Sequence, residues 1–157
     1  MVDSPRPPLD FEVVKEIWNR YELADNTILK VKVILTAVRK ADPSQASEPN
    51  AKGGYTMDFQ NVIVLLSNER GLPDPRVYPP QELQAATVKE DIRYTTMSQE
   101  WNEYMTDDGA KIRLQPLLLR VNKTSKFDAK GQPIYTSEMN INIDVKPPGS
   151  SRFSLTR

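Results

Sequence analysis

From Tyr135 to Val145 the chain alternates, with Tyr135, Ser137, Met139, Ile141, Ile143 and Val145 separated by Thr136, Glu138, Asn140, Asn142 and Asp144. A two-residue rhythm places successive side chains on opposite faces, so this stretch predicts a strand with one wet face. Earlier, Leu29, Val31, Val33 and Leu35 alternate with Lys30 and Lys32, after which Ile34 and Val38 fall on the opposite parity. That change of phase predicts a bulge or sharp bend; Pro116, at the place matching Val33 in the second half of the chain, is read as supporting it, because proline cannot donate to a ladder. Asp25-Asn26 and Asp108-Gly109 tolerate the positive φ angles of a tight turn, so the segment before each is expected to fold back onto the segment after it. The segment from Phe11 to Ala24 also fits an amphipathic helix, but its counterpart from Tyr94 is rich in threonine and poor in helix formers. Strands are therefore preferred in both places, with a turn of helix near Ser98–Glu103 left open. One further helix is expected from Pro80 through "QELQAATVKE", since proline suits a first helical turn.

The pattern is written twice. Setting Trp18 on Trp101 gives an offset of 83 residues, and seven of the 24 positions from Ile17 to Lys40 are then identical to their partners, including Asn19/Asn102, Tyr21/Tyr104 and Asp25/Asp108. The match extends upstream to Leu9/Ile92 and Phe11/Tyr94, and resumes after a polar loop at an offset of 80, with Tyr55 facing Tyr135. Apolar positions that persist while a loop drifts in length are the mark of a structural unit. The expected fold is mainly all-β: two tandem copies of a three- to four-stranded antiparallel meander, packed as a pseudo-twofold barrel or sandwich, with one short helix in the linker. Residues 9–66 and 92–146 form the two copies and 67–91 the linker; 1–8 and 147–157 read as flexible tails.

Composition narrows the chemistry. The 157 residues suit one domain or two small halves sharing a core, and 21 basic against 21 acidic side chains leave no global field to hold a polyanion. Cysteine and histidine are both absent, which removes thiolate chemistry, the commonest metal ligand and the usual general base near neutral pH. No cofactor or metal is implied. The start shows no apolar run behind a basic cluster, and no stretch approaches the roughly 20 apolar residues of a membrane span, so a cytoplasmic protein without membrane contact is expected.

The paired Trp-Asn-x-Tyr elements, Trp18, Asn19 and Tyr21 with Trp101, Asn102 and Tyr104, are the first candidate site: two aromatic platforms with amide groups for a small molecule or a peptide. The competing structural reading makes each tryptophan a core residue and each asparagine a tie for neighbouring backbone, and it is the preferred one. Asp25 and Asp108 are a matched carboxylate pair that would support a hydrolase or isomerase if the two shared a proton, although acidic residues in such places are commonly turn formers. Lys30, Lys32, Arg113, Lys146, Arg152 and Arg157 sketch a basic stripe for single-stranded nucleic acid, against which stand the zero net charge and the interspersed Glu22 and Asp144. The expected function is a non-catalytic binding or assembly module with a protein or small-molecule ligand. An open sheet edge in such a fold invites pairing between chains into a homo-oligomer.

Overall fold

The computed structural model describes residues 7–149; Arg152, Arg157 and most of both expected tails lie outside the described residues. The fold is mostly antiparallel β, with sheets that curl into a half-barrel. In chain order the strands are β1 (Phe11–Lys15), β2 (Asn19–Leu23), β3 (Ile28–Lys40), β4 (Ala51–Lys52), β5 (Tyr55–Leu66), β6 (Thr87–Lys89), β7 (Tyr94–Ser98), β8 (Asn102–Thr106), β9 (Lys111–Phe127) and β10 (Pro133–Lys146). A 3-10 turn spans Pro43–Gln45, and the single α-helix among the described residues, α1, spans Pro80–Ala85. No helix among the described residues is long and apolar enough to cross a membrane.

Two sheets result. Sheet I runs β4-β5-β3-β2-β7 and sheet II runs β1-β8-β9-β10, with β6 paired to the far end of β9. Alternation decides the faces: along β3, Leu29, Val31, Val33 and Leu35 are buried while the residues between them stay half-exposed. At the change of parity the β3–β5 register slips between Leu35 and Ala37, and Val38 becomes the next buried side chain. The bulge thus falls where the sequence shifts phase. β9 slips against β10 at the matching place, between Leu118 and Arg120; Pro116 itself stays in register with Ile141, so it lies ahead of the bulge rather than in it. Pairing with β8 has already stopped at Leu114, so the missing N–H of Pro116 interrupts no ladder on that side.

The hairpin turns form as their residues require. Asn26 adopts φ 69° and Gly109 φ 92°. The Leu23 N–H bonds the Thr27 carbonyl at 2.8 Å, and the Thr106 N–H bonds the Ala110 carbonyl at 2.9 Å. Residues Gln99–Trp101 carry no helix, and β8 begins directly after them. The linker helix is shorter than its sequence suggests: it stops at Ala85, and Thr87–Lys89 turns into a strand because β9 offers it a ladder. Local helix propensity there yields to tertiary pairing.

The leading strand of each half is not the fourth member of its own meander. β1 pairs with β8 and β7 pairs with β2, so each sheet takes an edge strand from the opposite half of the chain. Both core clusters draw on both sheets. One joins Val33, Leu35, Val38, Tyr55 and Met57 to Tyr104, Ala110, Ile112 and Leu114; the other joins Tyr21, Leu23, Leu29, Val31 and Ile92 to Leu118 and Val121. Each fully buried Leu or Val contributes roughly 1.5–3 kcal/mol, so neither sheet is stable without its neighbour.

Candidate functional site

The residues of the Trp-Asn-x-Tyr elements separate by depth. Asn19, Tyr21, Asn102 and Tyr104 are fully buried, at 0% exposure. The tryptophans are not: both sit half-buried just ahead of β2 and β8. They are therefore not core residues. Instead, Lys30 and Lys32 place their ammonium groups 4.6 and 4.9 Å from the Trp18 ring centre, and the Arg113 guanidinium lies 4.6 Å from that of Trp101. Contacts of this kind are worth about 0.5–1 kcal/mol at exposed sites. A ring face already occupied by cations is not an open platform for stacking a base.

The buried asparagines clamp one half of the chain to the other. Asn102 Oδ1 accepts the Ile17 N–H at 3.0 Å, and Asn19 Oδ1 accepts the Glu100 N–H at 2.7 Å. The tyrosines beside them behave alike: Tyr104 donates to Glu16 Oε2 at 2.7 Å and Tyr21 to Gln99 Oε1 at 2.8 Å. One difference stands out. Asn102 Nδ2 also donates to the Val33 carbonyl at 2.7 Å, whereas Asn19 Nδ2 is buried with no partner among the described residues. The residue 83 positions beyond Val33 is Pro116, and its carbonyl takes no bond from Asn19. All four side chains are buried inside the molecule.

Asp25 and Asp108 anchor separate turns. Asp25 accepts the Tyr135 hydroxyl at 2.6 Å and the Thr27 N–H at 3.1 Å; Asp108 accepts the Tyr55 hydroxyl at 2.7 Å and the Thr106 hydroxyl, with Lys40 Nζ at 3.7 Å. Burial pushes both carboxyls up, but these hydrogen bonds and the lysines Lys123 and Lys40 outweigh it, and both end below the usual carboxylate range. A proton-sharing dyad would hold one of the pair high, and the two share no partner among the described residues. The arrangement is that of two turn clamps. Because the folded-state values are depressed, the stability the clamps contribute is present above the unfolded-state pKa of about 4 and is lost as pH falls below it. Urea midpoints should therefore drop between pH 5 and acid conditions, and drop less in Asp25→Asn/Asp108→Asn. An equal drop in the variant would contradict the clamp.

The outer faces of the two sheets differ. On sheet II, Arg113 lies 3.5 Å from Asp144 of β10 and 4.0 Å from Glu103 of β8. On sheet I, Lys30 and Lys32 make no ion pair among the described residues, and the β5 residues opposite them are Val64 and Val62. The β10 residues 80 positions beyond Val62, Val64 and Leu66 are Asn142, Asp144 and Lys146. One outer strand is polar and the other apolar.

The apolar strand is also an open edge. β4 pairs with β5 only at Tyr55 and Thr56, and Asn50 bonds Met57, so among the described residues Asp58–Leu66 has no strand on its outer side. Val62, Ile63 and Leu66 are 37, 42 and 48% exposed. No charge occurs from Phe59 to Asn68. A groove of about 550 Å³ runs beside the end of this strand, between Ile63–Leu66 and the Asp128–Tyr135 turn. β5 was not among the residues singled out from sequence, because a run such as Asn61–Leu66 reads as a buried strand; the signal was its departure from the polar β10 pattern.

No cluster of three or more His, Cys, Asp or Glu side chains gathers among the described residues to hold a metal. No protein-family model matches the chain, and neither a curated protein nor a solved structure does.

Proposed function

We propose that the protein is a non-catalytic binding or assembly module, built on a duplicated β-unit, that takes its partner as an added strand along β5. The observation that carries this reading is the uncovered, uncharged and apolar edge from Phe59 to Leu66. Unpaired N–H and C=O groups along such an edge are a template for another strand, and proteins ordinarily blunt it with charge. β10 is blunted in this way by Glu138, Asp144 and Lys146, and β5 is not.

Duplication is supported by contacts that recur 83 residues apart. The asparagine ties, the tyrosine bonds and the edge-to-face pairs Phe11–Tyr104 and Tyr21–Tyr94 all come in such couples. On this reading the second copy serves as scaffold and the first has diverged at its outer strand to bind.

A labelled peptide spanning Gln60–Leu66 with flanking lysines for solubility serves as an extended-strand probe. It should raise its fluorescence anisotropy on the wild-type protein and bind at least about tenfold more weakly, or about 1.4 kcal/mol, to Val62→Asn/Val64→Asp/Leu66→Lys. Equal binding to both proteins, or no binding to a wild-type chain that is monomeric in solution, would contradict a docking role for β5.

A further inference from the structure

Resting on the reading of β5 as a docking strand, we infer that its occupant is a second copy of the same chain, paired antiparallel about a twofold axis near Ile63. The two sheets I then join into one continuous sheet across the axis.

Self-pairing about a twofold demands that a surface complement itself, since every residue meets its mirror in the sequence. β5 meets that condition. Centred on Ile63, Gln60 faces Leu66, Asn61 faces Leu65 and Val62 faces Val64, so no charge meets a like charge. Parity is kept as well. Val62 and Val64 share the outer face with Lys32 and Lys30, while Ile63 and Leu65 share the inner face with Val31 and Leu29. The inward side chains of an added strand therefore lie towards the groove lined by Pro133, Ile134 and Tyr135. The nearest charge on the strand, Asp58, is paired with Arg39 at 3.3 Å, so the pairing carries no buried lone charge into the joint. β10 fails the same test. Its outer edge carries Glu138, Asp144 and Lys146, and most registers of self-pairing set charge near like charge or against apolar neighbours.

Light scattering with size-exclusion chromatography should give a dimer for the wild-type chain. Val62→Asn/Val64→Asp/Leu66→Lys transplants the β10 residues onto two exposed positions and the half-buried Val64, all on the outer face, so it should stay folded and run as a monomer. The chain has no cysteine, which allows a second readout: Ile63→Cys should oxidise to a covalent dimer, and Leu119→Cys, exposed on another strand, should not. Directly opposed Cα atoms in an antiparallel pair lie about 4.5–5.5 Å apart, within disulfide reach. A wild-type monomer that still binds the strand peptide would overturn the second-copy inference and leave the docking edge standing. A monomer that binds no peptide would remove both. A dimer that survives the triple substitution, or cross-links equally through Leu119, would place the joint elsewhere and overturn the inference.

Discussion

Raising the pH from about 10 to about 12 should unfold the protein cooperatively, with tyrosinate absorbance and loss of β circular dichroism rising together. Burial pushes the Tyr21, Tyr55 and Tyr135 hydroxyls up to about 12, and it raises Tyr104 as well. For Tyr55 and Tyr135, the Asp108 and Asp25 carboxylates that accept their protons add to the rise. The sign follows from which state keeps its protons. An unfolded tyrosine ionises near pH 10, so below that pH both states are neutral and the stability is intact; above it the unfolded chain sheds protons first and gains in relative stability. Over Tyr21 and Tyr55 alone, both almost fully buried, the loss is on the order of a few kcal/mol, a large share of the roughly 5–15 kcal/mol typical of a whole domain. Tyr21→Phe should soften this alkaline loss while forfeiting the hydroxyl's bonds to Gln99 and to the Leu118 backbone, about 1–2 kcal/mol at neutral pH. Smooth titration of all tyrosines near pH 10 with the β signal unchanged would contradict the burial of these hydroxyls.

Asn102→Ala should cost clearly more than Asn19→Ala. Removing the Asn102 amide takes the acceptor from the part-buried Ile17 N–H and leaves the Val33 carbonyl with only a 3.3 Å contact from the Tyr104 hydroxyl, whereas Asn19 holds only the Glu100 N–H. Each orphaned group costs about 1–3 kcal/mol, so we expect about 3 kcal/mol for Asn102 and roughly half that for Asn19. In a chain of this length each kcal/mol moves Tm by about 2–4 °C, which separates the variants by several degrees in a thermal melt. Equal losses would mean that Asn102 Nδ2 contributes nothing, and losses under about 0.5 kcal/mol in both would mean that the two halves are not clamped here.

Much of this framework was legible in the chain. The period-two run from Tyr135 fixed β10, the parity change after Leu35 located the bulge, and Asp-Asn and Asp-Gly marked turns whose positive φ angles the structure shows. Those signals are local, and local geometry answers them. Where β1 and β7 would pair was not legible, because both are short edge strands with exposed middles and carry no strong facial pattern to choose a neighbour. The depth of the tryptophans was also hidden: their covering cations stand a dozen or more residues away and are brought over the rings only by the β2–β3 and β8–β9 hairpins.

The candidate surface was the hardest to see, since Val62, Ile63, Val64, Leu65 and Leu66 look like core in any one-dimensional reading. What betrays the strand is the absence of a neighbour among the described residues, and a neighbour's absence is a property of the sheet rather than of the segment. Among the named residues, Asn19, Tyr21, Asn102 and Tyr104 hold the halves together, and Asp25 and Asp108 secure turns through Tyr135 and Tyr55.

Backbone hydrogen exchange, read residue by residue in dilute and in concentrated solution, tests the role of β5 most directly. Slower exchange in the concentrated sample, confined to Gln60–Leu66 and absent from Glu138–Lys146, is the expected result. Unchanged rates along β5, or equal slowing of both outer strands, would contradict it.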